Sequence, residues 1–331
     1  MNTILFWYRN ARPTALPQSV IPSILAFCLA CSADGFSWWL GVFAVFGVVF
    51  VHLGLNLFDD YFDYRKKKSD YRDTLVHEGF RARISKCAYL TSGQATVEQL
   101  LKASIIFCSI GVLLGAIVFY FRGMTILYIA LATAVFGFFY SAPPFRFSYR
   151  GFGELIIGLI FGPLNMLGTY YAAVGALDMT IVFISIPVGL LVMNIVYVHS
   201  ILDFIPDKKI GKQTLAVLLN NTKAMLILLF FIVFVPFGII SYGILTGYLS
   251  PYYWAIFLSF PLAVSLFYLM IAFVKDPQRK FTPRFWMGPM NQWKRITEVG
   301  IDWFMIRWLS ARNLLTLFCL IIMIISFITT P

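Results

Sequence analysis

Residues 38–58 read WWLGVFAVFGVVFVHLGLNLF, and the chain then turns abruptly acidic with Asp59-Asp60-Tyr61-Phe62-Asp63. The run holds no Asp, Glu, Lys or Arg, and a helix of its length crosses ~30 Å of hydrocarbon. Similar apolar runs fill about 17–33, 99–120, 124–141, 153–174, 180–202, 222–246, 252–274 and 311–330, so nine spans are expected in all. None alternates with the two-residue period of a membrane barrel, which leaves helices as the spanning element. The pattern therefore predicts an all-α integral membrane protein of about nine transmembrane helices. Composition agrees: 60% of the 331 residues are apolar and 12% are charged, and the mean hydropathy is +0.81. A soluble chain of this length needs far more polar surface.

The 26 Lys and Arg residues set the expected orientation. With the N-terminus cytoplasmic, the turns near 34–37, 121–123, 175–179 and 247–251 face outward and hold one basic residue, Arg122. The other 25 precede the first span or lie in 63–102, 146–150, 208–223 and 275–312, all on the cytoplasmic side. That asymmetry is the positive-inside rule, and a bacterial inner (cytoplasmic) membrane is the expected location. The net charge of +11 is thus first a topology signal, without the separate basic domain that nucleic acid binding requires. A basic cytoplasmic face also suits anionic headgroups and phosphorylated substrates. Trp7, Tyr8 and Arg9 lead into a span too long for a secretory h-region, so no cleaved signal is expected. One transmembrane domain over 1–331 is expected, with polar cytoplasmic loops at about 63–98 and 275–310. The second loop interleaves Trp286, Trp293, Trp303 and Trp308 with basic residues and reads as short helices in the headgroup region. Cys28 and Cys31 form a C-x-x-C inside an apolar helix and read as ordinary buried thiols.

The acidic cluster ending the second span has a counterpart four spans later, Asp203-Phe204-Ile205-Pro206-Asp207. Helical spacing puts Asn56, Asp60 and Asp63 on one face, with Asp59 rotated to the flank. Asp203 and Asp207 share a face if the helix survives to Pro206, which should loosen or end it. Carboxylates grouped near a membrane repel one another and persist where a cation compensates them. Their oxygen-only donors make Asn56, Asp60, Asp63, Asp203 and Asp207 candidate ligands for a hard ion, Mg²⁺ first, with Mn²⁺ or Ca²⁺ as alternatives. Mg²⁺ takes one or two carboxylates and completes its shell with water and phosphate oxygens. Two such clusters across a cavity predict a diphosphate between them. Lys212, after Gly211, is placed to meet a phosphate as a point charge, and Arg146, after Tyr140-Ser141-Ala142-Pro143-Pro144, is a second clamp. Lys208 and Lys209 read as topology residues. Tyr140 is a further catalytic candidate, and Asp59, Arg65 and Asn165 are further substrate-binding candidates. The 34 Phe, 17 Tyr and 8 Trp supply ring faces for an isoprenoid tail or a carbocation, although for any single ring a plain membrane-protein role is the simpler reading.

Asn56-x-x-x-Asp60-x-x-Asp63 together with Asp203-x-x-x-Asp207-x-x-x-Gly211-Lys212-x-Thr214 resembles the paired motifs of the UbiA superfamily of intramembrane prenyltransferases. The Gly-Lys-x-Thr ending is similar to the branch that prenylates 1,4-dihydroxy-2-naphthoate in menaquinone synthesis. So are Arg12-Pro13-Thr14-Ala15-Leu16-Pro17, the 140–144 segment, and Gly151-x-Gly153-Glu154 followed by Phe161-Gly162-Pro163-Leu164 and Gly168-Thr169-Tyr170. The resemblance covers roughly residues 9–220, and Asp59 stands where that branch typically has Asn. It implies a bundle around a central cavity open to the cytoplasmic side and the membrane. It implies Mg²⁺-dependent transfer of a polyprenyl group from an isoprenoid diphosphate to an aromatic acceptor, with carbon dioxide lost from a dihydroxynaphthoate. Asp60, Asp63, Asp203 and Asp207, with Asn56 in support, would hold the Mg²⁺, and Lys212 and Arg146 would assist the leaving diphosphate.

Other readings stay open at this stage. The alternative acceptors in related chemistry are a 4-hydroxybenzoate-like acid or protohaem. Asp59-Asp60-x-x-Asp63 is also the D-D-x-x-D of soluble prenyl-diphosphate synthases, whose fold the hydropathy excludes. A cation transporter would use such clusters too, but tends to place them near the bilayer midplane on broken helices.

Overall fold

The computed structural model describes residues 3–65 and 87–328. Most of the expected 63–98 loop, with Lys66, Lys67, Lys68, Arg72, Arg81, Arg83 and Lys86, lies outside the described residues. The chain enters through α1 (Thr3–Asn10), a left-handed Arg12 at φ 59° and a 3₁₀ turn at Pro13–Ala15. Pro17 opens α2 (Pro17–Ala30), in the first turn, where an N–H has no intrahelical partner to lose. α3 (Trp38–Arg65) runs unbroken through the first acidic cluster. α4 (Val97–Arg122) starts from a reciprocal cap, the Thr96 side chain accepting the Gln99 N–H and the Gln99 side chain accepting the Thr96 N–H. It packs antiparallel along α3. α5 (Met124–Phe139) stops before Pro143-Pro144, which disfavour helix in the residues ahead of them.

α6 (Gly153–Val174) and α7 (Met179–Leu202) cross at the centre of the molecule. A Cβ on Gly162 would lie 2.2 Å from the Gly189 Cα, so the two backbones are in direct contact. Just there α6 widens into a π turn, Ile160–Leu164, where Pro163 offers no N–H to the ordinary ladder. α7 is the most enclosed helix, wrapped by α6, α10 (Thr222–Leu245) and α13 (Asp302–Ile328). Between α7 and α10 come two short helices, α8 (Phe204–Lys209) and α9 (Leu215–Leu219). Between α10 and α13 come α11 (Pro251–Lys275), whose first nine residues are 3₁₀, and α12 (Trp293–Glu298). The described residues form no strand. Val112 and Leu113 on α4, Leu131 on α5 and Leu245 on α10 are exposed, as the outer surface of an integral membrane protein in lipid requires.

Each of the nine apolar runs is a helix, but among the described residues seven are long and apolar enough to cross a membrane. The other two are α2, with 14 residues, and α5, with 16. At 1.5 Å per residue they reach about 21 and 24 Å, short of the ~30 Å core. Proline bounds both, Pro17 at the start of α2 and Pro143-Pro144 after α5. The Trp-rich segment also differs from expectation. Trp293 is on a short helix, but Trp303 and Trp308 lie on α13, which begins nine residues before the expected 311. Arg122, the one basic residue expected outside, donates to the carbonyls of Ala172, Ala173 and Gly35. It satisfies the end of α6 and the α2–α3 turn, which explains its exception to the charge pattern.

Candidate active site

A cavity of about 450 Å³ opens between α3, α5, α6, α7 and the first turns of α13. Its polar end carries Arg12, Asn56, Asp59, Tyr140, Ser141 and His199, and its apolar walls include Phe58, Phe138, Phe161 and Trp308. The first acidic cluster therefore reaches this space through Asn56 and Asp59. Asp60 and Asp63 do share a buried face of α3, as the helical spacing predicts. That face, however, is turned into the protein. Tyr89 donates to Asp60 Oδ2 at 3.1 Å and Tyr149 donates to Asp63 Oδ1 at 2.6 Å. Asp59, expected on the flank, takes the Ser141 hydroxyl at 2.5 Å and lines the cavity. The Asn56 amide donates to the Ala11 carbonyl at 3.0 Å.

Among the described residues, Arg12 binds this cluster together. Its Nη2 lies 3.1 Å from Asp59 Oδ2, 3.3 Å from Asp60 Oδ1 and 2.7 Å from the Asn56 carbonyl. Burial opposes the guanidinium charge, and the carboxylates of Asp60 and Asp59 outweigh it, holding the Arg12 pKa above its ordinary value. Burial and then the Asp60 charge likewise push the Tyr89 phenol up, so it stays a donor at neutral pH. The sequence led to a metal as the compensating cation, whereas a side chain does part of that work. Arg12→Met should lower folding stability by about 2 kcal/mol, the size of a hydrogen bond to a charged group. Thermal unfolding in detergent measures it, and Arg12→Lys should lose less.

The second cluster forms at a break in the helix. The break falls at Asp203 instead of Pro206: α7 ends at Leu202, Asp203 takes φ −96° and ψ 16°, and Pro206 sits in the first turn of α8, where its N–H is not needed. The Asp207 N–H still reaches the Asp203 carbonyl at 2.8 Å, and both carboxylates are buried. Asp203 approaches the cavity through His199, whose Nε2 lies 3.6 Å from Asp203 Oδ2. Lys212 is half-buried, its N–H on the Asp207 carbonyl at 2.9 Å. Its loop is pinned by buried Glu154, which accepts the Ser200 hydroxyl at 2.5 Å and the Leu215 N–H at 3.1 Å.

The remaining expected residues are spread around this centre. Tyr140 is on the cavity wall. Arg146 is half-buried in a left-handed turn at φ 49° and is not on the wall. Arg65 is exposed at the end of α3, donating to the Tyr61 hydroxyl at 2.8 Å. Asn165 ties α6 to α2, donating to the Ser19 carbonyl at 2.9 Å and accepting the Ser23 hydroxyl at 2.8 Å. It is a helix-to-helix tie and not a wall residue. Sequence reasoning passed over Arg12, His52, Ser141, His199 and Trp308 as parts of the site. His52 Nδ1 is 2.6 Å from the Ser19 hydroxyl, and its ring stacks on Phe161 at 4.6 Å. A signal was available: His52 and His199 each stand four residues before Asn56 and Asp203, one helical turn deeper on the same face.

Among the described residues, no three His, Cys, Asp or Glu side chains converge closely enough to hold an ion unaided. The donor chemistry nevertheless suits a hard cation, with two buried carboxylate pairs, Asp60 with Asp63 and Asp203 with Asp207. Mg²⁺ asks for only one or two carboxylates beside substrate oxygens.

Inside the helical membrane bundle this cavity thus combines aromatic walls with one lining carboxylate, Asp59, and a histidine, His199, paired with Asp203. The profile of the UbiA prenyltransferase family matches residues 19–294, and the chain belongs to that family. It is 28% identical over 254 residues to the 1,4-dihydroxy-2-naphthoate octaprenyltransferase of Bacillus subtilis, spanning 77% of this chain and 78% of that protein. It is 27% identical over 279 residues to human UbiA prenyltransferase domain-containing protein 1, spanning 81% of this chain and 76% of that one. Among solved structures, a UbiA homolog from Archaeoglobus fulgidus bound to GPP and Mg²⁺ has the same fold, with a TM-score of 0.56 at 16% identity. That match covers 94% of this chain and 99% of the other.

Proposed function

We propose that this prenyltransferase moves a polyprenyl group from an isoprenoid diphosphate to 1,4-dihydroxy-2-naphthoate, as in menaquinone synthesis, in a Mg²⁺-dependent reaction that releases diphosphate. The observation carrying this reading is that both acidic helix ends border one cavity, through Asn56 and Asp59 on α3 and through His199, paired with Asp203, on α7. The names of the bacterial relatives support the acceptor. The Archaeoglobus homolog with GPP and Mg²⁺ supports the donor and the ion. In this reading α2 and α5, too short to cross alone, do so with the apolar residues that flank them, and complete nine spans of a single domain over 1–331. The N-terminus is cytoplasmic, the cavity opens to the cytoplasmic side and the bilayer, and the membrane is a bacterial inner membrane.

Asp60, Asp63, Asp203 and Asp207, with Asn56, would hold the Mg²⁺, which when bound neutralises charge on the departing diphosphate. Lys212, Arg146 and Arg65 bring positive charge to the same end of the bundle. Phe58, Phe138, Phe161 and Trp308 exclude water and offer ring faces to the prenyl chain and the allylic cation. The allylic C–O bond breaks with its electron pair leaving on the diphosphate, and an aromatic carbon of the acceptor attacks the cation. On a dihydroxynaphthoate, carbon dioxide departs from the attacked carbon. Tyr140 would offer its hydroxyl to the polar acceptor from the cavity wall.

Purified protein given geranylgeranyl or longer diphosphate, Mg²⁺ and a panel of aromatic acids should release diphosphate and yield a prenylated, decarboxylated naphthalene. Chelation with EDTA should stop it, and added Mg²⁺ should restore it. Product only from another acid would overturn the acceptor and keep the chemistry. Absence of diphosphate release with every acceptor would overturn the reaction itself.

A further inference from the structure

A second cavity, of about 370 Å³, lies away from the first, where the end of α11 meets the 276–287 segment. Arg279, Lys280 and Arg284 line it with the polar side chains of Ser265, Tyr268 and Thr282, and among the described residues no acidic one is on its wall. Of the carboxylates nearby in sequence, Asp276 is turned to the Gln278 N–H at 3.0 Å, and Asp302 is buried at the start of α13. Three cations gathered with no counter-ion on the wall among the described residues repel one another, so this segment is more stable with an anion between them.

The back of the cavity adds an independent observation. Arg307 is fully buried on α13 and packs its guanidinium over the Phe281 ring at 5.7 Å, a ring that itself lines the cavity. Its Nε donates to the carbonyl of Leu269, another wall residue, at 3.1 Å, and its Nη1 donates to the Trp303 carbonyl. Its Nη2 is buried with no hydrogen-bond partner among the described residues. A fourth positive charge thus stands directly behind the wall. Trp286, 44% exposed, and Tyr268, 49% exposed, are on the wall, and Phe285, between Arg284 and Trp286 in the chain, is 93% exposed. Exposed aromatic rings beside Arg and Lys at the end of a spanning helix are the signature of the headgroup layer, where one side of a site is wet and the other is acyl chain.

We propose that this cavity is a binding site for the headgroup of an anionic phospholipid, with the phosphodiester between Arg279, Lys280 and Arg284 and the acyl chains against Phe285 and Trp286. The exposed rings decide for a lipid over a soluble phosphate, since a free anion gains nothing from them. The site is independent of the prenyl-transfer reading.

Native mass spectrometry of the delipidated full-length protein in detergent tests it, titrating phosphatidylglycerol, phosphatidylcholine and inorganic phosphate. One phosphatidylglycerol should bind with a preference of roughly tenfold over phosphatidylcholine, as expected for several basic groups at a headgroup. The triple variant Arg279→Gln, Lys280→Gln, Arg284→Gln should lose that preference while its thermal unfolding stays near the parent's. The double variant Lys294→Gln, Arg295→Gln, which removes charge from exposed positions on α12, should keep it. Equal preference in parent and triple variant overturns the site. So does an equal loss in the double variant, which would reduce the effect to net charge. Inorganic phosphate displacing the lipid at equal concentration would overturn the lipid assignment. If the triple variant unfolds, Phe285→Ser with Trp286→Ser takes its place and should weaken phosphatidylglycerol without creating a response to phosphate.

Discussion

Asp207→Asn should reduce prenyl transfer by on the order of a thousandfold while the protein still folds, the scale seen when one preorganised electrostatic contact to a developing charge is removed. Asp207 is 1% exposed, and its N–H bonds the Asp203 carbonyl across the α7–α8 break. Asparagine keeps the volume and the backbone bond and removes only the negative charge, so a loss of turnover without a loss of unfolding temperature isolates the electrostatic role. Steady-state kinetics beside thermal unfolding in detergent provides both readouts. Near-parental turnover in Asp207→Asn would remove the second acidic cluster from the reaction. Asp59→Asn should behave differently. Its side chain is held by Arg12 and Ser141 at the cavity wall, so its loss should move the acceptor KM more than kcat.

The second large effect is structural. Gly162→Ala should destabilise the protein by about 3 kcal/mol or more, at or beyond the upper end of overpacking costs. The added Cβ would stand 2.2 Å from the Gly189 Cα, 2.6 Å from the Gly189 nitrogen and 3.0 Å from the Ser185 carbonyl oxygen. All three are backbone atoms of α7, so no side chain can swing aside and the helices must part. Small residues allow this approach in lipid, where close packing drives association. Gly238→Ala on α10 is the matched control, because nothing lies within 4 Å of its added Cβ. It should be neutral or stabilising by up to about 1 kcal/mol, the helix-propensity difference. A Gly162→Ala unfolding midpoint equal to the Gly238→Ala one would refute the backbone-contact account.

Phe161-Gly162-Pro163-Leu164 shows how one segment carries two kinds of information. As sequence it contributes to a family resemblance. In the fold, Gly162 makes the α6–α7 crossing, Pro163 sits in the π turn, and Phe161 faces the cavity and stacks on His52. Asn165, the next residue, follows the opposite course. Its amide reads as a site group in sequence and serves as a tie to α2, because Ser19 and Ser23 approach it from 142 residues and more away in the chain.

The sequence by itself determined that this is a helical membrane protein, where each apolar run lies, and that Asp60 and Asp63 share a face. Those are local properties: hydropathy belongs to about twenty consecutive residues, and helical periodicity needs only the next turn. What only the tertiary structure decided is which way each face points. α3 is rotated so that Asp60 and Asp63 meet Tyr89 and Tyr149 while Asp59 meets the cavity. Arg12 joins the cluster from 47 residues away, and Trp308 closes the apolar wall from the far end of the chain. The rotation of a helix about its own axis is set by contacts with all its neighbours at once, and no window of sequence contains them.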